Sequence, residues 1–505
     1  MATNIKKTSL FLFFLRILRM LLTIVTVTFS AKFFGVSVEK DVWVLSSTFL
    51  TTISMAVWGP INEIFRAKFV FIKEKEGVLS ALNKTSSLIG FISVATFIII
   101  ILLFIFAEPI ANLLIEDMAP SAKGVFVLLL ILMAPTLLIT ELGNIGICVL
   151  NAYDVYYLPE IVGFASGLVN LVAIIAFAPV LGIYSLMIAN YFGGLLLLIV
   201  VLYFLNKRKI HLWGRMLRFN WGDVKIFLIF ALPFFFPYFV GQINGLLEKY
   251  LSGMLGSGMI SSLDYSKQFI SVLQSVLSSV LTTLFVPILA KHFINKQRDE
   301  FYTSFRENMV ISSLIVCLAS IFLIGVTEPL CKFFFFRGKL SFDALNIIIT
   351  LTRMFGIAFW GVLAYMLFGY ASLASNQGKF YATIGVANQI VVLLVNILAV
   401  PRYGVYVFPI TYGVIHLLSG IVMFCYLEID NKIIIAFTFT KSFIVSLCFS
   451  WCYLMTIKYI QDYNVYTQLI LVCCSMVLTI PITAQILGIN VKQYALNIYY
   501  KYARK

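Results

Sequence analysis

Charge is scarce in this 505-residue chain. Asp, Glu, Lys and Arg together make up 12% of it, about half of the roughly 25% usual in soluble domains. That shortage excludes a soluble globular protein. Groups for covalent or metal chemistry are also sparse. Of three histidines, His211 and His292 lie in basic loops and only His416 falls inside an apolar run. The eight cysteines mostly sit within apolar runs and form no Cys-x-x-Cys pair, so they read as small core hydrophobes rather than a disulfide or metal framework. The only fragment of a phosphate loop, Gly378-Lys379, lacks the upstream glycine and the following Ser or Thr. No nucleophile elbow and no metal-ligand spacing is present. The expectation is a non-enzyme with no cofactor and no bound metal. Alternating polar and apolar segments of about ten residues, the mark of an outer-membrane barrel, are missing as well.

What the chain does have is apolar length. Hydrophobic residues make up 61% of it and its mean hydropathy is +1.00. Runs of about 20 apolar residues, each long enough for a ~30 Å hydrocarbon core, recur from end to end. Fourteen spans are expected, at 9–34, 42–69, 82–107, 124–150, 156–178, 182–206, 224–252, 262–290, 307–327, 343–373, 380–400, 404–427, 434–457 and 465–488. The fold class is all-α and polytopic. Arg16 and Arg19 interrupt the first run and no small-residue cleavage site follows it, so that run is expected to stay as a helix rather than leave as a signal peptide.

The net charge of +15 is distributed as membrane topology requires, not as a nucleic-acid face would be. One set of loops carries Lys6, Lys7, Arg66, Lys68, Lys73, Lys75, Lys84, Lys207, Arg208, Lys209, Arg215, Arg218, Lys291, Lys296 and Arg298, with Lys501, Arg504 and Lys505 in the tail. The opposite set is short and nearly uncharged ("APVLGIY", "GMLGSGM") or acidic ("IEDMAP"). Both termini are therefore expected in the cytoplasm. Residues 207–221 mix bases with Trp and Leu and read as an amphipathic linker on that surface.

The linker separates two related halves. At a shift of 223 residues Gly35 meets Gly258, Asp41 meets Asp264, and Ala67-Lys68 meets Ala290-Lys291. At 222, Asp154 meets Asn376, Gly163 meets Gly385, Pro179 meets Pro401, and "GIY" meets "GVY". "AEPI" at 107–110 has a near partner, "TEPL", at 327–330. Each half holds six spans, an even number, so the repeats are parallel. That is an arrangement of transporters whose halves rock around a central site. The expected organisation is an N-lobe at 1–206, the linker at 207–221, a C-lobe at 222–430, and two further helices with a basic tail at 431–505.

Gly35 with Asp41, "VLNAYDVYYLPEIV" at 149–162, "GQIN" at 241–244, "LDYSKQF" at 263–269 before "VPILAKHF", and "EPLCKFFFFRG" at 328–338 follow one another in order. The ordered set resembles the MurJ/MviN branch of the multidrug/oligosaccharidyl-lipid/polysaccharide exporter superfamily, over spans 1 to 12, with spans 13 and 14 matching in number. The resemblance implies a two-lobed flippase of the bacterial inner membrane. It would move a polyprenyl-diphosphate-linked glycan such as lipid II to the outer leaflet. A monomer is expected, and with no ATP site in view the expected driving force is membrane potential, an H⁺ or Na⁺ gradient, or consumption of the product. Family arginines of the cavity fall here at Met20, Thr26, Ser54 and Gln268, with Arg19 and Lys267 adjacent to two of these positions. The implied cavity is cationic but altered. Lipid II, an O-antigen unit and a capsule or exopolysaccharide unit would all present a diphosphate beside a bulky polar head.

The deep charges point the same way without the family. A charge at mid-bilayer costs ~2.5–3.5 kcal/mol even on the lenient insertion scale, so it should face protein or a wet cavity. Arg16 and Arg19, one turn apart on one face, suit a diphosphate that guanidinium can grip bidentately. The resemblance adds Lys267 and Gln268, and Arg353 and Gln242 (the repeat partner of Arg19) complete the expected substrate-binding set. Glu141 and Arg353, near mid-membrane on equivalent helices, are expected either to pair between lobes or to tie structure within one. Asp41 and Asp264 each open a span, where an N-cap explains them and an outer-gate role is the sharper alternative.

In "WGPINEIFRAKF" at 58–69, Lys68 has a repeat twin in Lys291 and reads as a membrane-edge anchor. Glu63 and Arg66 match Val286 and Leu289, so they are either a local ion pair or a cytoplasmic gate. Two rival functions remain. One is a cation-coupled drug exporter, for which Glu141 would be the carboxylate. The other is a non-transporting scaffold of an envelope-synthesis complex.

Overall fold

The computed structural model describes residues 2–116, 118, 120–153, 155, 157–212, 220–335 and 339–488, and within these all side chains except those of 2–14, 16, 17, 120, 279, 280, 283 and 284. The centre of the expected linker, 213–219, and the basic tail lie outside the described residues. Among the described residues there is helix and no strand.

The chain forms two compact units. The first runs to Ser261 and takes in Lys339 and Leu340. It contains α1 (Ala2–Phe34), α2 (Val38–Glu76), α3 (Val78–Ile105), α4 (Ala107–Leu114), α5 (Pro120–Met133), α6 (Thr136–Ala152), α7 (Leu158–Leu181), α8 (Tyr184–Lys207) and α9 (Trp221–Met254). Helix α10 (Met259–Val280) begins in the first unit and continues into the second. The second unit adds α11 (Val286–Ile294), α12 (Arg298–Ile321), α13 (Thr327–Phe334), α14 (Phe342–Ala374), α15 (Gly378–Tyr403), α16 (Val407–Tyr426), α17 (Lys432–Tyr459) and α18 (Val465–Ile486).

Eleven of the described helices are long and apolar enough to cross a membrane, and the α5–α6 pair makes a twelfth, bent by 41°. Helix α1 and the run from α10 to α11 occupy the positions of the other two expected spans. The protein is an all-α polytopic membrane protein.

Proline explains where the expected spans depart from straight helices. The single span expected at 124–150 is two helices, because Pro135 has no N–H for the ladder and the chain turns there. Leu137 N–H bonds the Ala134 carbonyl, and the Thr136 hydroxyl donates to the Met133 carbonyl at 2.6 Å. In the second unit the helix widens to a five-residue π turn at Leu281–Phe285, just before Pro287, and again at Phe322–Val326, just before Pro329. The Thr327 hydroxyl bonds the Leu323 carbonyl in that second wide turn. "AEPI" and "TEPL" open the eight-residue helices α4 and α13, so that sequence repeat marks the same device in each unit.

In the first unit, α2 is packed along α9. Phe65 stacks on Phe227 with ring planes 10° apart, and Trp58 meets Phe91 edge-on. In the second unit, α14 is the central helix, and it meets α16 through bare backbone. A methyl group added at Gly361 would fall 1.9 Å from the Gly413 carbonyl oxygen, and one at Gly420 would fall 2.7 Å from the Ala364 carbonyl carbon. Small residues allow this approach, which suits helices that gain little from hydrophobic exclusion inside a lipid bilayer.

Candidate functional site

The polar residues deep in the first unit converge on α2 between Thr52 and Glu63. Glu141, on α6, is only 1% exposed. The Ser54 hydroxyl donates to its Oε1, Asn62 Nδ2 lies 3.4 Å from its Oε2, and Asn144 is a third neutral neighbour. Thr52 donates to the Gln242 carbonyl of α9 at 3.5 Å. The Tyr238 ring packs on the open face of Gly59, where a methyl group would meet it at 2.6 Å, and its hydroxyl donates to Glu63 at 3.0 Å. Gly59 and Pro60 stand in the middle of this set. Pro60 cannot donate to the carbonyl one turn back, so α2 is pliable between Ser54 and Asn62.

Arg19 is on α1, with its side chain 53% exposed. Its Nη1 is 3.9 Å from Glu160 of α7. The guanidinium rests on Gly163, where a methyl group would come within 2.6 Å of Nη1. The Arg16 side chain lies outside the described residues.

Asp41 does not cap its own helix. Ser37 holds that position, accepting from Lys40 N–H at 3.2 Å. The Asp41 carboxylate, fully buried, instead accepts from the Gly258 and Ser261 amides and from the Ser261 hydroxyl, all at the start of α10. It therefore caps a different helix, the one on which the chain leaves the first unit. The N-cap expected for Asp264 is corrected too. This residue lies in the second turn of α10, half-buried. The Gly35–Gly258 match does have a backbone cause: both have positive φ, 59° and 86°, at the turn before α2 and α10.

In the second unit Lys267 lies over two rings, 5.6 Å from the Phe355 centroid and 5.7 Å from that of Tyr412. The Tyr412 hydroxyl donates to Gln274 at 2.7 Å. Gln268, the neighbour of Lys267, is half-buried. Arg353, on α14, donates from Nε to the Ile324 carbonyl in the π turn and from Nη2 to Glu328, both at 3.2 Å. Glu328 also holds Lys332 at 3.0 Å. The carboxylate that Arg353 holds is thus Glu328, in its own unit, and Glu141 is held by neutral groups in the other. Of the two expectations for Glu141 and Arg353, the described contacts of Arg353 follow the second, a tie within one unit. At the membrane edge, Lys68 lies over Phe71 and Phe230 at 5.3 and 5.0 Å, and Arg66 is exposed.

The order of these elements, two units of long apolar helices with cations set in their spans, can be compared with known proteins. A family model described as "Lipid II flippase MurJ" matches residues 30–502. The chain belongs to the MurJ lipid II flippase family. Among solved structures it is similar to a lipid II flippase MurJ in an inward closed conformation, at 20% identity and a TM-score of 0.74, with 99% of each chain covered. It is also similar to an inward-facing multidrug resistance MATE transporter, at 11% identity, a TM-score of 0.58, and 81% of this chain and 99% of that one covered. The MATE transporter VcmN of Vibrio cholerae, in its bent form, gives 13% identity, a TM-score of 0.55, and 88% and 99% coverage. At these identities the structures show a shared fold. No curated protein matches the chain.

Family membership makes this a multi-pass membrane protein of a transporter family. Ser54, one of the positions at which the resemblance implied a cavity arginine, carries a hydroxyl that donates to the Glu141 carboxylate. Sequence reasoning missed Glu160, Glu328, Asn62, Phe355 and Tyr412 as partners. Only Glu328 left a signal, its place in the repeated "EP" motif.

Proposed function

We propose that this protein is a flippase that carries a polyprenyl-diphosphate-linked glycan precursor, lipid II or a capsule, O-antigen or exopolysaccharide unit, from the cytoplasmic to the outer leaflet of a bacterial inner membrane. It works as a monomer by alternating exposure to the two faces, with both termini and the basic loops on the cytoplasmic side. The observation that carries this reading is Arg19, a guanidinium seated on the bare backbone of Gly163, whose ion pair among the described residues is a 3.9 Å link to Glu160. Such a group can exchange a weak carboxylate contact for a bidentate diphosphate contact. Lys267 over Phe355 and Tyr412 gives the second unit a cation beside aromatic faces that suit a sugar ring. Arg353 is a reserve cation, drawn from Glu328 if the headgroup reaches it. Asp41 acts as an outer latch, because releasing it exposes the first turn of α10. With no ATP-binding motif in the sequence, the driving force is membrane potential, an ion gradient or consumption of the product.

The test is translocation of a fluorescent polyprenyl-diphosphate disaccharide in proteoliposomes, read by quenching at the outer face. R19A and K267A should each slow it tenfold or more. Rates equal to wild type in both variants would remove the mechanism. Native mass spectrometry of the purified protein should show the glycolipid itself. Cationic small molecules alone would move the assignment to an exporter of the same fold, the reading that the buried Glu141 favours.

A further inference from the structure

Glu141 is a carboxylate deep in a membrane-spanning unit, and its described partners are a serine hydroxyl and two amides. An ionised carboxylate removed from water and held by one hydroxyl and two side-chain amides keeps a desolvation cost that a proton would remove. Among the described residues, the surrounding elements offer no cation at its level. Helix α8 faces α6 there with Gly194, Leu197 and Val201. The ionisable groups of α3 and α8 near the loops, Lys84 and Lys207, lie at helix ends. The titratable groups closest along α6 and α2 are Cys148, whose thiol points to the Asn62 carbonyl at 3.8 Å, and the exposed Glu63, which is bonded to Tyr238. Tyr191 of α8 donates away, to the Leu132 carbonyl.

A second observation concerns Asn62. Its Nδ2 faces Glu141, while its Oδ1 is buried with no hydrogen-bond partner. A half-turn of the amide would exchange the two atoms. The Oδ1 would then accept from Glu141, which only a carboxyl bearing a proton can donate. The present arrangement fits the ionised form; the alternative fits the acid and turns the amide N–H groups to where Oδ1 now lies. The third observation is where the grips lie. Ser54 and Asn62 hold Glu141 from either side of Gly59-Pro60, the place where α2 has lost a ladder bond.

We propose that Glu141, gripped by Ser54 and Asn62 across the Gly59-Pro60 joint, is a reversible proton-binding site of the first unit that sets the bend of α2 and so couples a proton gradient to transport. The step is simple: an O–H bond forms between one carboxylate oxygen and a proton from water, no other covalent bond changes, and release reverses it. Loading turns the carboxyl from a pure acceptor into a donor. The Asn62 amide turns to follow it, and the segment of α2 beyond Pro60 is re-aimed relative to the segment that carries Ser54.

This rests on the transport reading, so one readout is independent of it. Infrared difference spectroscopy of the purified protein across a pH titration should show a protonated-carboxyl band that E141Q lacks and whose midpoint N62A shifts. A band unchanged in E141Q would overturn the proposal whatever the protein transports. In glycolipid proteoliposomes, one coupled proton predicts about a tenfold change in the steady-state leaflet ratio per unit of pH gradient. E141Q should show none. If the gradient acts equally on both proteins, or if only a Na⁺ gradient at constant pH acts on wild type, the proton assignment fails. If no glycolipid moves under any gradient, the flippase reading fails and the infrared result still decides Glu141.

Discussion

The two units use equivalent helices differently. In the first, the α5–α6 span is broken at Pro135 and carries a carboxylate among neutral partners. In the second, α14 runs unbroken for 33 residues and carries Arg353, paired with Glu328 and tied to a π turn. The first unit has a bend and an acid held by neutral groups. The second has an unbroken, buried spine with close glycine contacts and an ion network. The contrast suggests a division of labour: one unit yields, and the other holds its shape.

Breaking the firm side should have the largest effect. Gly361→Leu places a branched side chain where even a methyl group would be 1.9 Å from the Gly413 carbonyl oxygen. Backbone cannot give way as a flexible side chain does, and overpacking typically costs about 1–3 kcal/mol, more when backbone must shift. We expect a loss of about 3 kcal/mol or more, read as a lower thermal unfolding midpoint in detergent. Gly245→Ala on α9, where nothing lies within 4 Å of the added carbon, should leave the midpoint where it was.

Next comes the cap at the exit from the first unit. Asp41→Ala leaves two amides and a hydroxyl of α10 without their acceptor in a buried site. Hydrogen bonds to a charged group are worth about 1.5–3 kcal/mol, and abandoned donors add to that. The expected loss is about 2–3 kcal/mol. Asp264→Ala, at the same register of the repeat but half-buried, should lose less. Equal losses would mean that the repeat preserves one structural role, not two.

These two predictions show how much of the molecule was legible in advance. The spans, their order and the repeat could be read, because a ~30 Å apolar core enforces length and composition on every crossing helix. The Gly35–Gly258 and "AEPI"–"TEPL" matches could be read because turn geometry and short proline-opened helices demand particular residues. Partner choice could not. Asp41 looked like a cap of its own helix because its position in α2 is near the start, yet Ser37 had that place and the donors it serves are more than 200 residues away. For Glu141 and Arg353, opposite charges at similar depth left a pair between lobes and a tie within one equally open. What decides is which neighbour lies within hydrogen-bond reach, and one-dimensional spacing carries that only along a single helix.

A smaller effect should follow from loosening the ion network of the firm side. Arg353→Ala leaves Glu328 with Lys332 as its cation among the described residues and the Ile324 carbonyl without its guanidinium donor. With roughly a third of both side chains exposed, screening limits the stability loss to about 1 kcal/mol. Glu328→Gln should cost a similar amount while freeing Arg353. If it raises glycolipid affinity where Arg353→Ala lowers it, the arginine is shared between structure and substrate. If both change only the unfolding midpoint, the network is structural.

The smallest change tests the yielding side at the cation. Gly163→Ala puts a methyl group 2.6 Å from Arg19 Nη1. Nothing rigid is struck, since a guanidinium at the end of a flexible stem can swing aside, so stability should hold to within about 0.5 kcal/mol. What should change is where Arg19 waits. Pushed off the α7 backbone, it loses the seat that keeps it near Glu160 and must be reordered when a diphosphate arrives. Immobilising a rotamer-rich side chain costs about 0.5–1.5 kcal/mol, which corresponds to a fall in affinity of about two- to tenfold, measurable by titrating a short-chain polyprenyl diphosphate against intrinsic tryptophan fluorescence. The sign is informative. A fall says that the bare backbone at Gly163 is there to hold the arginine ready. A rise says that the seat restrains it, and that Glu160, not the headgroup, is the partner for which Gly163 makes room.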